Sequence, residues 1–198
     1  MNYLIKTAGR TGSHKVMYYI SHNTNSEIID VDNPTINFDK DITYIAHCHH
    51  QYTNGEHNVF MPSDPKNWIL IKTYRNNIFD QTLSDYIHLI TREQLSRPYL
   101  YQSDLKNIEI KPFLVDYELF KRNLEYFYNQ EQIIKDIDAT EFHSCIELNY
   151  NEIVNNSFVE KLPFKGDINK IPTIKNPWDK KSIIKNYKKL KRLYENLY

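Results

Sequence analysis

Two of the four glycines in this chain, Gly9 and Gly12, fall close together near its amino terminus. They lie in AGRTGSHK, residues 8–15, between a strand-like run and a helix-like run. A glycine loop in that place points successive backbone N–H groups and a helix start at one small volume, which suits an anion. Arg10 and Lys15 add positive charge. The alternative is a tight turn that exposes Arg10, and no Gly-Lys-Ser/Thr step follows at the distance that the Walker pattern requires.

A second candidate anion contact is Arg75, which follows the apolar run WILIKTY, together with Ser84 on the helix-like stretch that comes next. A planar guanidinium and a hydroxyl suit a phosphate dianion. The alternative is an ordinary charge at a strand end and an ordinary surface serine.

The run HCHH at residues 47–50 follows a strand-like stretch. The carboxyl edge of a parallel sheet opens into a ligand crevice, and alternation places His47 and His49 on one face. We therefore predict a general base here, His49 first and His47 second. The alternatives are exposed loop histidines or a metal cluster completed by His57, but contiguous spacing is not typical of zinc sites and no metal is predicted.

Strand-like and helix-like periods alternate along the chain. The predicted strands are residues 2–7, 42–48, 68–74 and 142–148. The predicted helices are residues 14–20, capped by Ser13, and about 78–95, 113–134 and 180–197. This alternation predicts an α/β fold with a mainly parallel central sheet flanked by helices, built as one domain over residues 1–198.

The composition adds broad limits. The formal charge is zero overall, but lysine and arginine greatly outnumber acidic residues in the loop and helix of residues 161–198, which predicts an anionic partner or an acidic face of the same domain. The two cysteines lie in strand-like runs, so a reducing compartment fits. The start MNYLIKTAGR lacks a signal-peptide pattern, and no run is long enough to span a bilayer, which predicts a cytoplasmic protein.

The stretch TAGRTGSHKV resembles the 5′-phosphosulfate loop of sulfotransferases, usually Thr-x-Pro-(Lys/Arg)-Ser-Gly-(Ser/Thr)-Thr after the first strand. The matching residues are Thr7, Arg10, Gly12 and Ser13. Where the family pattern has proline, serine and the final threonine, this chain has Gly9, Thr11 and His14.

Three further segments resemble the family in the same order along the chain. YRNNIFDQTLSDYI is similar to its 3′-phosphate motif, with Arg75 and Ser84 in the two key places. FHSCIELNYNEIV is similar to the strand and turn that end in Tyr-Glu-(Asp)-Leu. PTIKNPWDKKSIIKNYKKLKRLY is similar to the closing segment, in which Lys175, Lys180 or Lys181 would approach the 3′-phosphate.

The resemblance implies a P-loop NTPase-like sulfotransferase architecture and 3′-phosphoadenosine 5′-phosphosulfate (PAPS) as co-substrate. It implies in-line transfer of a sulfuryl group to a hydroxyl or amine of a small-molecule or carbohydrate acceptor. The implied donor-binding residues are Gly9, Arg10, Thr11, Gly12, Ser13, His14, Lys15, Arg75, Ser84, Lys175 and Lys180. The catalytic candidates are His49, His47, Arg10 and Lys15.

Two other functions stay open. One is an ATP-dependent phosphotransferase of the P-loop superfamily, disfavoured by the missing Gly-Lys-Ser/Thr step and by the lack of an evident aspartate for magnesium. The other is a non-catalytic binder of anions or nucleic acid through residues 161–198, although nucleic acid is not the predicted partner because no stacking motif accompanies the charge. Residues 50–66 and 96–112 are predicted to shape the acceptor pocket.

Overall fold

The computed structural model describes residues 1–29, 42–49, 52–53, 56–57, 60–95, 110–171 and 179–197. Its strands are β1 (Asn2–Thr7), β2 (Glu27–Ile29), β3 (Tyr44–His49), β4 (Tyr52–Thr53), β5 (Glu56–His57), β6 (Trp68–Tyr74) and β7 (Ser144–Asn149). Five of them form a parallel sheet in the order β2-β3-β1-β6-β7, and helices flank it. The predicted α/β class with a mainly parallel central sheet is therefore confirmed.

The first strand lies in the middle of the sheet. Thr7, the last residue of β1, pairs with His49 on one side and with Thr73 on the other. After β1 the chain forms β2 and β3 on one side of that strand, and it then crosses to form β6 on the other side. Open α/β sheets bind ligands outside the carboxyl ends of their strands at such a switch in strand order. The glycine loop begins at this edge.

The predicted strands agree with the structure in kind and nearly in extent. β1 and β6 have the predicted bounds, because both are apolar and buried along their length. β3 and β7 each begin two residues later than predicted and end one residue later. The short strand β2 and the β4–β5 hairpin were not predicted, since three and two residues are too few to display a period.

The helices are α1 (Ser13–Thr24), α2 (Ile78–Leu95), α3 (Tyr117–Lys135), α4 (Tyr150–Val154), α5 (Lys180–Ile183) and α6 (Tyr187–Leu197). The prediction of Ser13 as the cap of α1 was wrong, because Gly12 occupies the N-cap and Ser13 begins the helix. Phe113 lies before α3, where it forms a parallel bridge with Ile184. The predicted single helix over residues 180–197 is in fact two helices.

The chain divides into two compact units, residues 1–76 with 130–171, and residues 77–129 with 172–198. In the first unit, one face of the sheet packs against α1 through a core that includes Ile5, Ile71 and Tyr19, all fully buried. Leu4, Ala46 and Leu70 belong to a separate core cluster of this unit. This packing fixes α1, and with it the end of the glycine loop.

The second unit has an aromatic core of its own. Phe79, Phe120 and Tyr187 pack edge to face. The break between α5 and α6 is held by Asn186, whose side-chain amide donates to the carbonyl of Val115 and accepts from its N–H. Asn186 therefore joins two chain segments within this unit. No helix among the described residues is long and apolar enough to cross a membrane.

Candidate functional site

The glycine loop turns through three residues in the left-handed backbone region. The φ angles are 80° at Gly9, 53° at Arg10 and 85° at Gly12. A Cβ at Gly12 would stand 3.0 Å from Cγ2 of Ile153, so both the backbone angle and the neighbouring helix α4 favour glycine there. Arg10 adopts this conformation without that freedom, at a cost of about 1–2 kcal/mol. Such strain persists where surrounding contacts enforce it.

Helix α1 starts directly at the loop, and in its first turn the N–H of Lys15 donates to the carbonyl of Gly12 at 2.9 Å. Among the described residues no side chain caps it at Gly12, and its first turn holds no acidic residue. The first N–H groups of a helix lack partners within the helix and, with the helix dipole, favour an anion. The loop and the helix start therefore form a place suited to a phosphate or sulfate group.

A chain of buried hydroxyls fastens the loop to the sheet. Oγ1 of Thr11 is 2.7 Å from Oγ1 of Thr7 and 2.8 Å from Oγ1 of Thr73, and the N–H of Gly9 donates to Oγ1 of Thr7 at 3.1 Å. Thr11 is fully buried. Thr11 is predicted as a donor-binding residue of the loop, and its side chain is directed into the fold.

Arg75 reaches the glycine loop from β6. Its Nη1 donates to the carbonyl of Arg10 at 3.1 Å, and its guanidinium carbon lies 3.9 Å from the centre of the Tyr150 ring. The residue is only 7% exposed. A guanidinium stacked on an aromatic ring is held in one plane, so its N–H donors keep a fixed direction. The structure thus brings together two features that the sequence predicted separately.

Glu131 supports the start of this arginine from α3. Its Oε1 accepts the backbone N–H of Arg75 at 2.9 Å, and its side chain is 3% exposed. Burial raises the pKa of the Glu131 carboxyl, while the hydrogen bond from Arg75 and the positive charges of Lys135 and Arg75 act in the opposite direction. The contact fixes the point at which Arg75 leaves the strand.

His47 contacts the same loop from β3. One of its ring nitrogens, Nε2, is 2.9 Å from Oγ of Ser13, and its ring centre is 4.5 Å from that of His14. His47 and Ser13 therefore meet at the first turn of α1. The backbone of His49 pairs with Thr7, but its side chain lies outside the described part of the structure, as do residue His50 and the side chain of His57. Within the described residues, no group of three or more His, Cys, Asp or Glu side chains is arranged for a metal.

Lys15 is directed at helix α4. Its ammonium donates to the carbonyls of Ile153 at 2.9 Å and Val154 at 3.4 Å. A lysine at these carbonyls complements the negative end of the short helix. The contact ties α1 to α4, next to the point where α4 approaches Gly12.

The remaining predicted donor contacts lie elsewhere along the chain. Ser84 is a buried residue of α2 in the second unit. Lys180, in the same unit, donates to Oδ1 of Asp80 at 3.0 Å and to its backbone carbonyl at 3.0 Å. Lys175 lies outside the described residues, as does most of the predicted acceptor region.

Three residues of the site were missed by sequence reasoning. Thr73 carried a signal, since it lies two residues before Arg75 and so shares its face of the strand. Tyr150 was noticed only as part of a structural match, and its contact with Arg75 depends on the pairing of β6 with β7. The contact of Glu131 with Arg75 could not be predicted, because nothing in the local sequence distinguishes this carboxylate from the others on a long amphipathic helix.

The comparisons with known proteins identify no relative of this chain. A search of protein-family models, of curated proteins and of solved structures finds no match for this chain. The geometry of the site is therefore the basis for its function.

Proposed function

We propose that this chain is a sulfotransferase that binds PAPS at the glycine loop and passes its sulfuryl group to a hydroxyl or amine of a small-molecule or carbohydrate acceptor. The observation that carries the proposal is the 3.1 Å hydrogen bond from Arg75 to the carbonyl of Arg10. It brings the arginine of the 3′-phosphate motif to the loop of the 5′-phosphosulfate motif. A donor with phosphate groups at both ends of one ribose matches that pair of contacts.

The fold supports the proposal in outline. The central strand β1 is followed directly by the glycine loop and α1, at the carboxyl edge where open α/β sheets bind nucleotides. A P-loop NTPase-like architecture belongs to the proposal. The roles of Ser84, Lys175 and Lys180 at the 3′-phosphate follow from the sequence resemblance alone and stay predictions.

In the proposed reaction the acceptor oxygen or nitrogen forms a bond to sulfur. The bond between sulfur and the bridging oxygen of the 5′-phosphate breaks at the same time, and 3′-phosphoadenosine 5′-phosphate leaves. Negative charge develops on that bridging oxygen. The loop N–H groups, the start of α1 and the cation of Arg10 would stabilise it, and because they are already oriented they need no rearrangement during the reaction.

The proton of the acceptor passes to a histidine of β3. His47 already meets Ser13 on the first turn of α1, so it belongs with the donor loop. His49 is two residues further along the strand and level with the start of the loop. We therefore favour His49 as the general base, a role worth about 10²- to 10⁴-fold in rate. Lys15 remains a catalytic candidate from the sequence, although its ammonium binds carbonyls of α4.

Calorimetric titration of the full chain tests the donor. The ligands are 3′-phosphoadenosine 5′-phosphate, PAPS, adenosine 5′-phosphosulfate, magnesium ATP and a short oligonucleotide. We expect both 3′-phosphorylated ligands to bind, and adenosine 5′-phosphosulfate to bind at least about tenfold more weakly, since a charge-assisted hydrogen bond contributes about 1.5–3 kcal/mol. Arg75→Gln should remove most of that difference.

The matched control is Arg122→Gln, which removes an exposed arginine of α3 in the second unit. It should bind every ligand as the wild-type protein does. Equal affinity of the wild-type protein for ligands with and without the 3′-phosphate would overturn the assignment. Preference for magnesium ATP would favour the phosphotransferase, and preference for the oligonucleotide would favour a nucleic-acid binder.

A further inference from the structure

The hydroxyl chain under the glycine loop has a fixed direction. At one end of this row of hydroxyls, the N–H of Gly9 donates to Oγ1 of Thr7. At the other end, Oγ1 of Thr73 donates its proton to the carbonyl of Lys6 at 3.4 Å, since a carbonyl can only accept. The O–H of Thr7 therefore donates to Thr11, and the O–H of Thr11 donates to Thr73. The protons thus run from Thr7 to Thr11, from Thr11 to Thr73 of β6, and from Thr73 to the carbonyl of Lys6 in β1.

This direction determines what Thr11 can do. Its only hydroxyl proton is directed at Thr73, and its side chain is fully buried. A hydroxyl engaged in this way does not donate to a phosphate in front of the loop. The side chain of Thr11 therefore has a different task from that of Ser13, which lies on the first turn of α1.

Three successive loop residues are held by β1 and β6. Gly9 is held through its N–H by Thr7 of β1. Arg10 is held through its carbonyl by Arg75, and Thr11 through its hydroxyl by Thr73. Since Thr73 and Arg75 are two residues apart, β6 holds the loop through Thr11 at nearly the same place from which Arg75 extends.

We propose that Thr11 is a positioning residue that couples the two phosphate contacts of the donor, by fixing the loop to the strand that carries Arg75. The inference rests on the proposed function, because it assumes that the loop and Arg75 bind the same ligand. Without the Thr11 hydroxyl, the proton of Thr7 loses its acceptor and Oγ1 of Thr73 loses its donor. The loop is then still held through Gly9 and Arg10 but no longer through Thr11, so its position relative to Arg75 is less fixed.

The test compares three variants of the full chain. Thr11→Val keeps the shape of the side chain and removes its hydroxyl, while Thr11→Ser keeps the hydroxyl. Thr91→Val is the control, since Thr91 is a buried threonine of α2 whose hydroxyl donates to the carbonyls of Ile87 and His88. Each protein is titrated with 3′-phosphoadenosine 5′-phosphate and with adenosine 5′-phosphosulfate, and its thermal unfolding is recorded.

We expect Thr11→Val to bind 3′-phosphoadenosine 5′-phosphate about tenfold more weakly, because the loop loses two buried hydrogen bonds, those of Thr11 with Thr7 and with Thr73. The preference for the 3′-phosphorylated ligand should fall as well, because the spacing between the loop and Arg75 is less fixed. Thr11→Ser should restore both properties. Thr91→Val should keep wild-type binding even if it unfolds at a lower temperature.

The outcomes separate the two proposals. If the wild-type protein binds neither adenosine ligand, the proposed function is wrong and the role of Thr11 falls with it. If the wild-type protein binds but Thr11→Val shows the same affinity and preference, only the role of Thr11 is wrong. An unchanged preference with lower stability would mean that Thr11 is merely structural. Should Thr11→Val fail to fold, Thr73→Val removes the next hydroxyl of the chain and is judged by the same two measurements.

Discussion

Two regions of this molecule are rich in positive charge, and they use it differently. At the glycine loop, Arg75 is buried, stacked on Tyr150 and hydrogen-bonded to Arg10. In the segment after Asp179, most of the lysines are exposed side chains of α5, α6 and the residues between them. The first region has few cations with fixed directions, whereas the second has many cations in contact with water.

The difference shows what charge contributes to recognition. A cation fixed in direction and partly shielded from water discriminates between ligands, because its hydrogen bonds depend on the position of the partner. Exposed lysines attract any anion and are screened by salt. The proposed donor site therefore depends on the loop, although the excess of positive side chains lies at the carboxyl end.

The largest effect is expected for Gly12→Ala. The substitution introduces a side chain at a φ of 85° and places a Cβ 3.0 Å from Ile153. We expect a loss of about 1–3 kcal/mol in the free energy of unfolding, measured by chemical denaturation, and at least a tenfold loss of affinity for 3′-phosphoadenosine 5′-phosphate. The binding loss should exceed what the lower stability explains, because the loop itself is displaced.

The double variant Gly12→Ala with Ile153→Ala separates the two causes. It removes the steric contact but leaves the backbone angle unfavourable. If the angle sets the loop, the binding loss should remain in the double variant. Full recovery of binding would mean that only the contact with α4 matters.

A smaller effect is expected within the histidine run. His47→Ala removes the hydrogen bond to Ser13 and the ring contact with His14. We expect about a fivefold loss of affinity for 3′-phosphoadenosine 5′-phosphate, corresponding to about 1 kcal/mol for one hydrogen bond. His49→Ala should leave this affinity unchanged, since a general base contacts the acceptor. The same loss in both variants would contradict the division of roles between the two histidines.

The strands and the loop that hold the candidate site could be predicted from the sequence. Strands β1 and β6 are continuous apolar runs, and the glycines between β1 and α1 mark the loop, so both were predictable from local pattern. The convergence of Arg75 on the loop also follows once both strands are placed in one parallel sheet. These features depend on neighbours in sequence or on the simplest sheet topology.

The rest depends on tertiary contacts that leave no local pattern. Lys15 has the side chain of a phosphate ligand, yet its ammonium donates to the carbonyls of Ile153 and Val154, 138 and 139 residues further along the chain. Lys6 of β1 and Lys72 of β6 are buried, which is rare for lysine. The ammonium of Lys6 donates to the carbonyl of Phe60, and that of Lys72 donates to two backbone carbonyls after α3 and at its end. Burial lowers the pKa of Lys6. No periodicity predicts such partners.

The smallest effect is expected at exposed cations of α6 and of the turn before it. Lys188, Lys189 and Arg192 lie on α6, Lys185 lies two residues before its start, and all four are exposed. Changing all four to glutamine should alter the affinity for 3′-phosphoadenosine 5′-phosphate less than about twofold at about 0.15 M salt, because exposed charges are screened there. Titrations at several salt concentrations check this. A large loss of affinity that grows as the salt concentration is lowered would contradict this prediction. Binding would then depend on the density of charge at the carboxyl end, as the anion-binder alternative requires.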